Sequence, residues 1–171
     1  RTQYGNNNAY STNSDNEFNW FRWGEWRAQD ERHRMKDFVA QLAKLRKEGS
    51  AAFSPEDWGS AMPMAWKTAD NSDLNDWNTR HLMQHYYSND GEQEWVILWN
   101  FEGYDVPFTL PSDREWVRVV DTQAYFDGDD YLEGNELDAR ISGNIDLNAE
   151  DALSGAYTVK SQSVVVLRGQ P

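Results

Sequence analysis

The chain has 171 residues, 39% of them hydrophobic, which is enough for one good core and a second small one but too few for a complete (β/α)8 barrel. A formal charge of −13 opposes a phosphate-tracking nucleic-acid surface. The longest apolar run, Trp95 to Trp99, falls far short of the roughly 18 residues of a membrane span. Absence of cysteine removes disulfides, thiolate nucleophiles and cysteine zinc sites.

The remaining compositional signal is aromatic. Nine Trp, eight Tyr and seven Phe accompany a mean hydropathy of −0.89, so flat rings must supply packing that aliphatic side chains usually supply. Ring faces also stack on sugars. No basic segment followed by an apolar one opens the chain, and residue 1 is Arg, so a longer upstream polypeptide is expected.

The first 27 residues carry neither a helical nor a strand period and are crowded with Asn, Ser, Gly and Asp, the composition of a long loop. Tyr4, Tyr10, Phe18, Trp20, Phe21, Trp23 and Trp26 interleave with these polar residues and argue for an ordered loop that lines something. From Ala28 to Glu48 the period changes. Met35, Phe38, Val39, Leu42 and Leu45 recur at three- and four-residue spacing, with Asp30 and Glu31 early and Lys44, Arg46 and Lys47 late, which predicts an amphipathic helix. Gly49 stands where a left-handed residue would end it.

After Ser54-Pro55 the period becomes two, with strands predicted at Met64–Lys67, Arg80–Ser88, Glu94–Asn100, Val106–Leu110, Glu115–Asp121, Ala156–Lys160 and Ser163–Arg168. Several short strands with no helices between them predict an antiparallel β-sandwich. Residues 121–155 hold ten acidic residues and one basic residue, a local −9, and read as a solvated insertion between two late strands.

Four constellations bear on chemistry. Asp15 and Glu17 are two of the three acids of the aromatic loop, yet loop carboxylates more often accept backbone N–H bonds than catalyse. The run Asp127-Gly128-Asp129-Asp130-Tyr131-Leu132 fails the calcium-loop pattern, because Tyr131 replaces an oxygen ligand and Leu132 the turn glycine, and no metal site is expected. His81 and His85 lack the HExxH context and, on a strand, share a face with Met83 and Tyr87 as packing or rim residues. Asn6-Asn7-Asn8-Ala9-Tyr10 beside Trp20, Phe21, Trp23 and Trp26 offers amides for sugar hydroxyls and rings for sugar faces. The same Asn run also suits left-handed turn conformations with the rings packed inside, and chemistry alone leaves both readings open.

The order Arg1-Thr2-Gln3-Tyr4-Gly5-Asn6-Asn7-Asn8-Ala9-Tyr10, then Asp15-Asn16-Glu17, then Asn19-Trp20-Phe21-Arg22-Trp23 resembles the segment after the seventh barrel strand in isoamylase-type and glycogen-debranching members of the α-amylase superfamily. The helix ending Leu42-Ala43-Lys44-Leu45-Arg46-Lys47-Glu48 resembles the last barrel helix, and Tyr157-Thr158-Val159 with Ser163 to Leu167 the closing strands of the family's C-terminal sandwich. The resemblance implies a mainly β chain in which residues 1–54 end a (β/α)8 barrel and 55–171 form the C-terminal β-sandwich with an acidic insertion. It further implies retaining hydrolysis of α-1,6 branch points in an α-glucan, by carboxylates that would lie before Arg1, in the cytoplasm and without a cofactor. Asn7, Asn8 and Tyr10 would contact sugar. Gln3, Asp15 and Asn16 would hold the loop, while Trp20 and Trp23 would anchor it to the barrel end. The implied partners are an α-glucan and the N-terminal barrel portion of the same protein. Asn13-Ser14, an extension, and Arg22, where these enzymes usually carry an acid or amide, depart from the pattern.

Overall fold

The computed structural model describes residues 23–24, 30–54, 64–88, 90–123 and 144–170, with side chains from residue 36 onward in its long helix. Helix α1 (Asp30–Glu48) is followed by the short helix α2 (Ser50–Phe53). Eight strands come next: β1 (Met64–Lys67), β2 (His81–Tyr87), β3 (Glu94–Asn100), β4 (Val106–Thr109), β5 (Trp116–Asp121), β6 (Ala152–Leu153), β7 (Ala156–Val159) and β8 (Ser163–Gly169). The mainly β expectation holds. A six-stranded sheet in the order β1-β2-β3-β8-β5-β6 carries a two-stranded sheet, β4-β7, on one face, and neighbouring strands are antiparallel throughout.

The layering follows from side-chain alternation. In β3 the run Glu94-Trp95-Val96-Ile97-Leu98-Trp99-Asn100 is apolar on both sides, as a strand covered on both faces must be. Val96 and Leu98 join Phe108 and Val106 of β4, Val159 of β7, and Val165 and Leu167 of β8 in a core between the two sheets. Strand β4 alternates buried Val106 and Phe108 with exposed Pro107 and Thr109, so its proline sits on the outside of a short sheet. On the other face, Trp95, Val117, Val119, Val120 and Val166 meet Leu45 and Ala52 of the helices, with Phe38 and Leu42 packed beside them. The sheet itself thus covers the Phe38, Leu42 and Leu45 side of the helix, while Val39 stays exposed. The side chain of Met35 lies outside the described residues.

Gly49 requires a correction. Its φ is −86°, not left-handed, and the chain continues directly into α2. The residue is small for a different reason: a Cβ there would lie 2.6 Å from the Phe53 ring and 2.9 Å from the Trp95 indole. Close approach, rather than helix termination, selects glycine.

Strand β5 contains a bulge between Arg118 and Val120. The extra residue directs both Val119 and Val120 to the helix side and turns Asp121 to the opposite face, beside β7. The acidic stretch also returns to the sheet at its far end: Ile145 bridges to Val120, Leu147 is buried, and β6 pairs with β5. No period-two pattern announces this edge strand, since two residues are too few to show one.

Candidate functional site

Of the residues expected at a sugar-binding loop, Gln3, Asn7, Asn8, Tyr10, Asp15, Asn16 and Trp20 lie outside the described residues, as do Glu17 and the run 127–132. Trp23 is described and is 59% exposed. The described residues supply three polar centres, two concave surfaces and one aromatic edge.

The first polar centre joins the histidine face to the sheet end. His85 Nε2 lies 2.9 Å from Glu94 Oε2, and the other Glu94 oxygen accepts from Arg114 Nη2 at 2.9 Å. The His85 ring also meets Trp116 and Tyr87 edge-on. His81 stacks its edge on Phe108, with Nδ1 3.5 Å from Glu102. Both histidines thus share the inner face with Met83, as packing and rim residues, and among the described residues no group of three His, Asp or Glu side chains converges as metal ligands.

The second centre is buried between the sheets. Tyr157 donates its hydroxyl to Asp121 Oδ2 at 2.5 Å, Gln123 N donates to Oδ1 at 3.0 Å, and Arg118 lies 3.5 Å away. Burial raises the Asp121 carboxyl above its ordinary value, against the lowering effect of these donors. In the third centre Asn100, fully buried, donates to the carbonyls of Tyr104, Val159 and Lys160 and accepts from Glu102 N. This amide pins the β3–β4 turn to the end of β7.

A cleft of about 650 Å³ opens beside the end of α1, lined by Glu48, Glu92, Glu94, Glu150 and Arg168. Two of its charged groups are engaged in structure: Arg168 donates to the carbonyls of Leu147 and Ala149, and Glu94 holds Arg114 and His85. A second groove of about 660 Å³ lies between α1 and the sheet and is apolar, walled by Phe38, Leu42, Tyr86, Ile97, Trp99 and Val164.

At the end of the sheet where β1 and β3 finish and β2 begins, the aromatic residues gather. Trp66 and Trp77 meet edge-on at 5.5 Å, and Trp99 and Phe101 lie 5.8 Å apart with tilted rings. Trp66 pairs across β1–β2 with Gln84, whose Oε1 accepts from the Trp99 indole at 2.7 Å. The meeting of the pairs depends on strand register. No local pattern signals it.

No family model matches the chain. A curated protein described as "Glycogen operon protein GlgX homolog", from Haemophilus influenzae (strain ATCC 51907 / DSM 11121 / KW20 / Rd), is 27% identical over 123 residues. That match covers 71% of this chain and 17% of the relative, so the chain spans only a small part of the length of the protein it resembles.

Proposed function

We propose that the chain is the C-terminal portion of a glycoside hydrolase of the glycogen-debranching, isoamylase type, acting on α-1,6 branch points of a glycogen- or starch-like α-glucan. The observation that carries this reading is the similarity to a glycogen-operon protein, with which the motif order agrees. The motif order over residues 1–23 resembles the substrate-side loop of such enzymes, and the chain is similar to a protein whose name places it in a glycogen operon. A two-sheet body behind an amphipathic helix is compatible with the family's barrel-then-sandwich order.

In this reading the nucleophile and acid lie upstream of Arg1, and these residues supply the rim of the cleft and a stabilising sandwich. Asn7, Asn8 and Tyr10 contact sugar through amide hydrogen bonds and ring stacking. Gln3, Asp15 and Asn16 shape the loop, and Trp20 and Trp23 anchor it. The chain is not active alone.

The test joins the 171 residues to the coding sequence that naturally precedes Arg1 and assays release of linear maltooligosaccharides from branched glucan. Branch-point hydrolysis that drops in a Tyr10→Ala variant supports the reading. A gene that starts at these residues, or a joined protein that leaves branched glucan intact, removes it. The second reading, a non-catalytic glucan-binding or structural sandwich, is favoured by one feature: the described residues enclose a core of their own between the two sheets.

A further inference from the structure

We infer that the end of the sandwich formed by the β1–β2 connection and the β3–β4 turn is a binding surface for α-glucan chains, with Trp77 and Phe101 as its stacking rings. The ligand class rests on the functional reading above; the location rests on the geometry.

Five large apolar side chains are prominently exposed among the described residues, and three of them, Trp77 at 63%, Phe101 at 55% and Tyr104 at 60%, belong to these two adjoining segments. Backbone joins them: Phe101 N donates to Arg80 O at 2.8 Å. Burial of apolar area normally hides such rings, so their concentration at one end marks a surface that contacts something.

The rings are held, not loose. Trp77 leans on Trp66, and Phe101 on Trp99, whose indole is fixed by the hydrogen bond to Gln84. Trp66 and Trp99 stand on β1 and β3, two strand spacings or roughly 10 Å apart. The supporting loop is braced by the Lys67–Asp73 ion pair at 2.7 Å, the Thr68–Asp70 side-chain hydrogen bond and the Asp76 cap on Asn78 N at 2.9 Å. The β3–β4 turn is fastened by Asn100. Little conformational freedom remains for a ligand to remove on binding.

The chemistry around the rings selects a neutral polyhydroxyl ligand. Exposed Asn75, Asp76 and Asn78 flank Trp77, offering amide donors and acceptors and a carboxylate acceptor to hydroxyls. Asp73 and Asp105 are each neutralised by a lysine, Lys67 and Lys160. The chain's net charge of −13 repels anionic polymers. Flat C–H faces of glucose units match the rings, and their hydroxyl rims match the amides.

The test is affinity electrophoresis of the 171-residue chain through native gels containing amylopectin, beside glucan-free gels, for the native sequence, Trp77→Ala and Phe101→Ala. Both positions are exposed, and unchanged urea midpoints verify that each variant folds. Retardation of the native chain, with the apparent Kd raised about fivefold or more by Trp77→Ala and by Phe101→Ala, is the expected result. Absence of retardation for the native chain, equal retardation of the variants, or a change in sedimentation with no change in retardation overturns the proposal; the last outcome assigns the surface to a protein partner. Loss of retardation in the variants while the joined enzyme cleaves no branch points leaves the surface standing and removes the hydrolase reading. Branch-point cleavage with equal retardation does the reverse.

Discussion

Tyr157 of the two-stranded sheet donates its hydroxyl to Asp121 of the six-stranded sheet at 2.5 Å, and Arg118 reaches both groups. This contact ties the layers at a point where Asp121 is 1% exposed. Removing the donor leaves a buried carboxyl short of one partner. Tyr157→Phe is therefore expected to cost about 1–3 kcal/mol, read as a lower urea midpoint with an unchanged slope.

Asp121 also gives a pH prediction of definite sign. Burial raises its folded pKa above the unfolded value, so the native state holds the proton more tightly and stability falls as pH rises from the ordinary carboxylate value through the folded one. Asp121→Asn lacks this term. Urea midpoints of wild type minus variant should decrease as pH rises from about 4 to 7. A difference that grows over that interval would show that the hydrogen bonds outweigh burial.

Asp70, Asp73, Asp90 and Asp105 behave oppositely. Their carboxyls are held below the usual value, chiefly by hydrogen bonds from Thr68, Lys67, Ser88 and Lys160 respectively. Their contribution is present at neutral pH and is lost as pH falls below the ordinary carboxylate value through their lowered ones. All are exposed and screened, so Asp105→Asn should shift the acid limb of the stability curve only slightly.

Gly49→Ala separates two accounts of the same residue. With φ at −86° the backbone tolerates alanine, and helix propensity alone predicts a gain. The close Phe53 and Trp95 rings predict instead a loss of about 1–3 kcal/mol from overpacking. Thermal unfolding decides, and a raised Tm would mean that the Phe53 ring moves aside at little cost.

Phe108→Ala tests whether the two-stranded layer belongs to the core. The ring is fully buried between the sheets, and its removal should cost about 3–5 kcal/mol. A loss below about 1 kcal/mol would imply that the β4–β7 layer packs loosely.

Seven strands and the helix were legible because their periods are local. Glu94 to Asn100 reads as a buried strand from its unbroken apolar run, and Met83 between His81 and His85 places both histidines on one inner face. What escaped was set by pairing. The bulge at Arg118–Val120 reverses the parity of β5, and only that reversal brings Asp121 to Tyr157. The aromatic end escaped for the same reason, since Trp66 and Trp99 are 33 positions apart in the chain and meet Gln84 from two different strands.

By itself, then, the sequence determined that this is a mainly β chain with one amphipathic helix, and that its acidity is concentrated between residues 121 and 155. Those properties depend on side-chain period and composition, which neighbours in the chain specify. Tertiary structure alone decided that the sheet covers the helix's Leu45 side, that Gly49 is a packing residue, and that the exposed Trp77, Phe101 and Tyr104 fall on two segments joined by a backbone hydrogen bond. These depend on strand order and register, which long-range burial selects from among many pairings that the same local patterns allow.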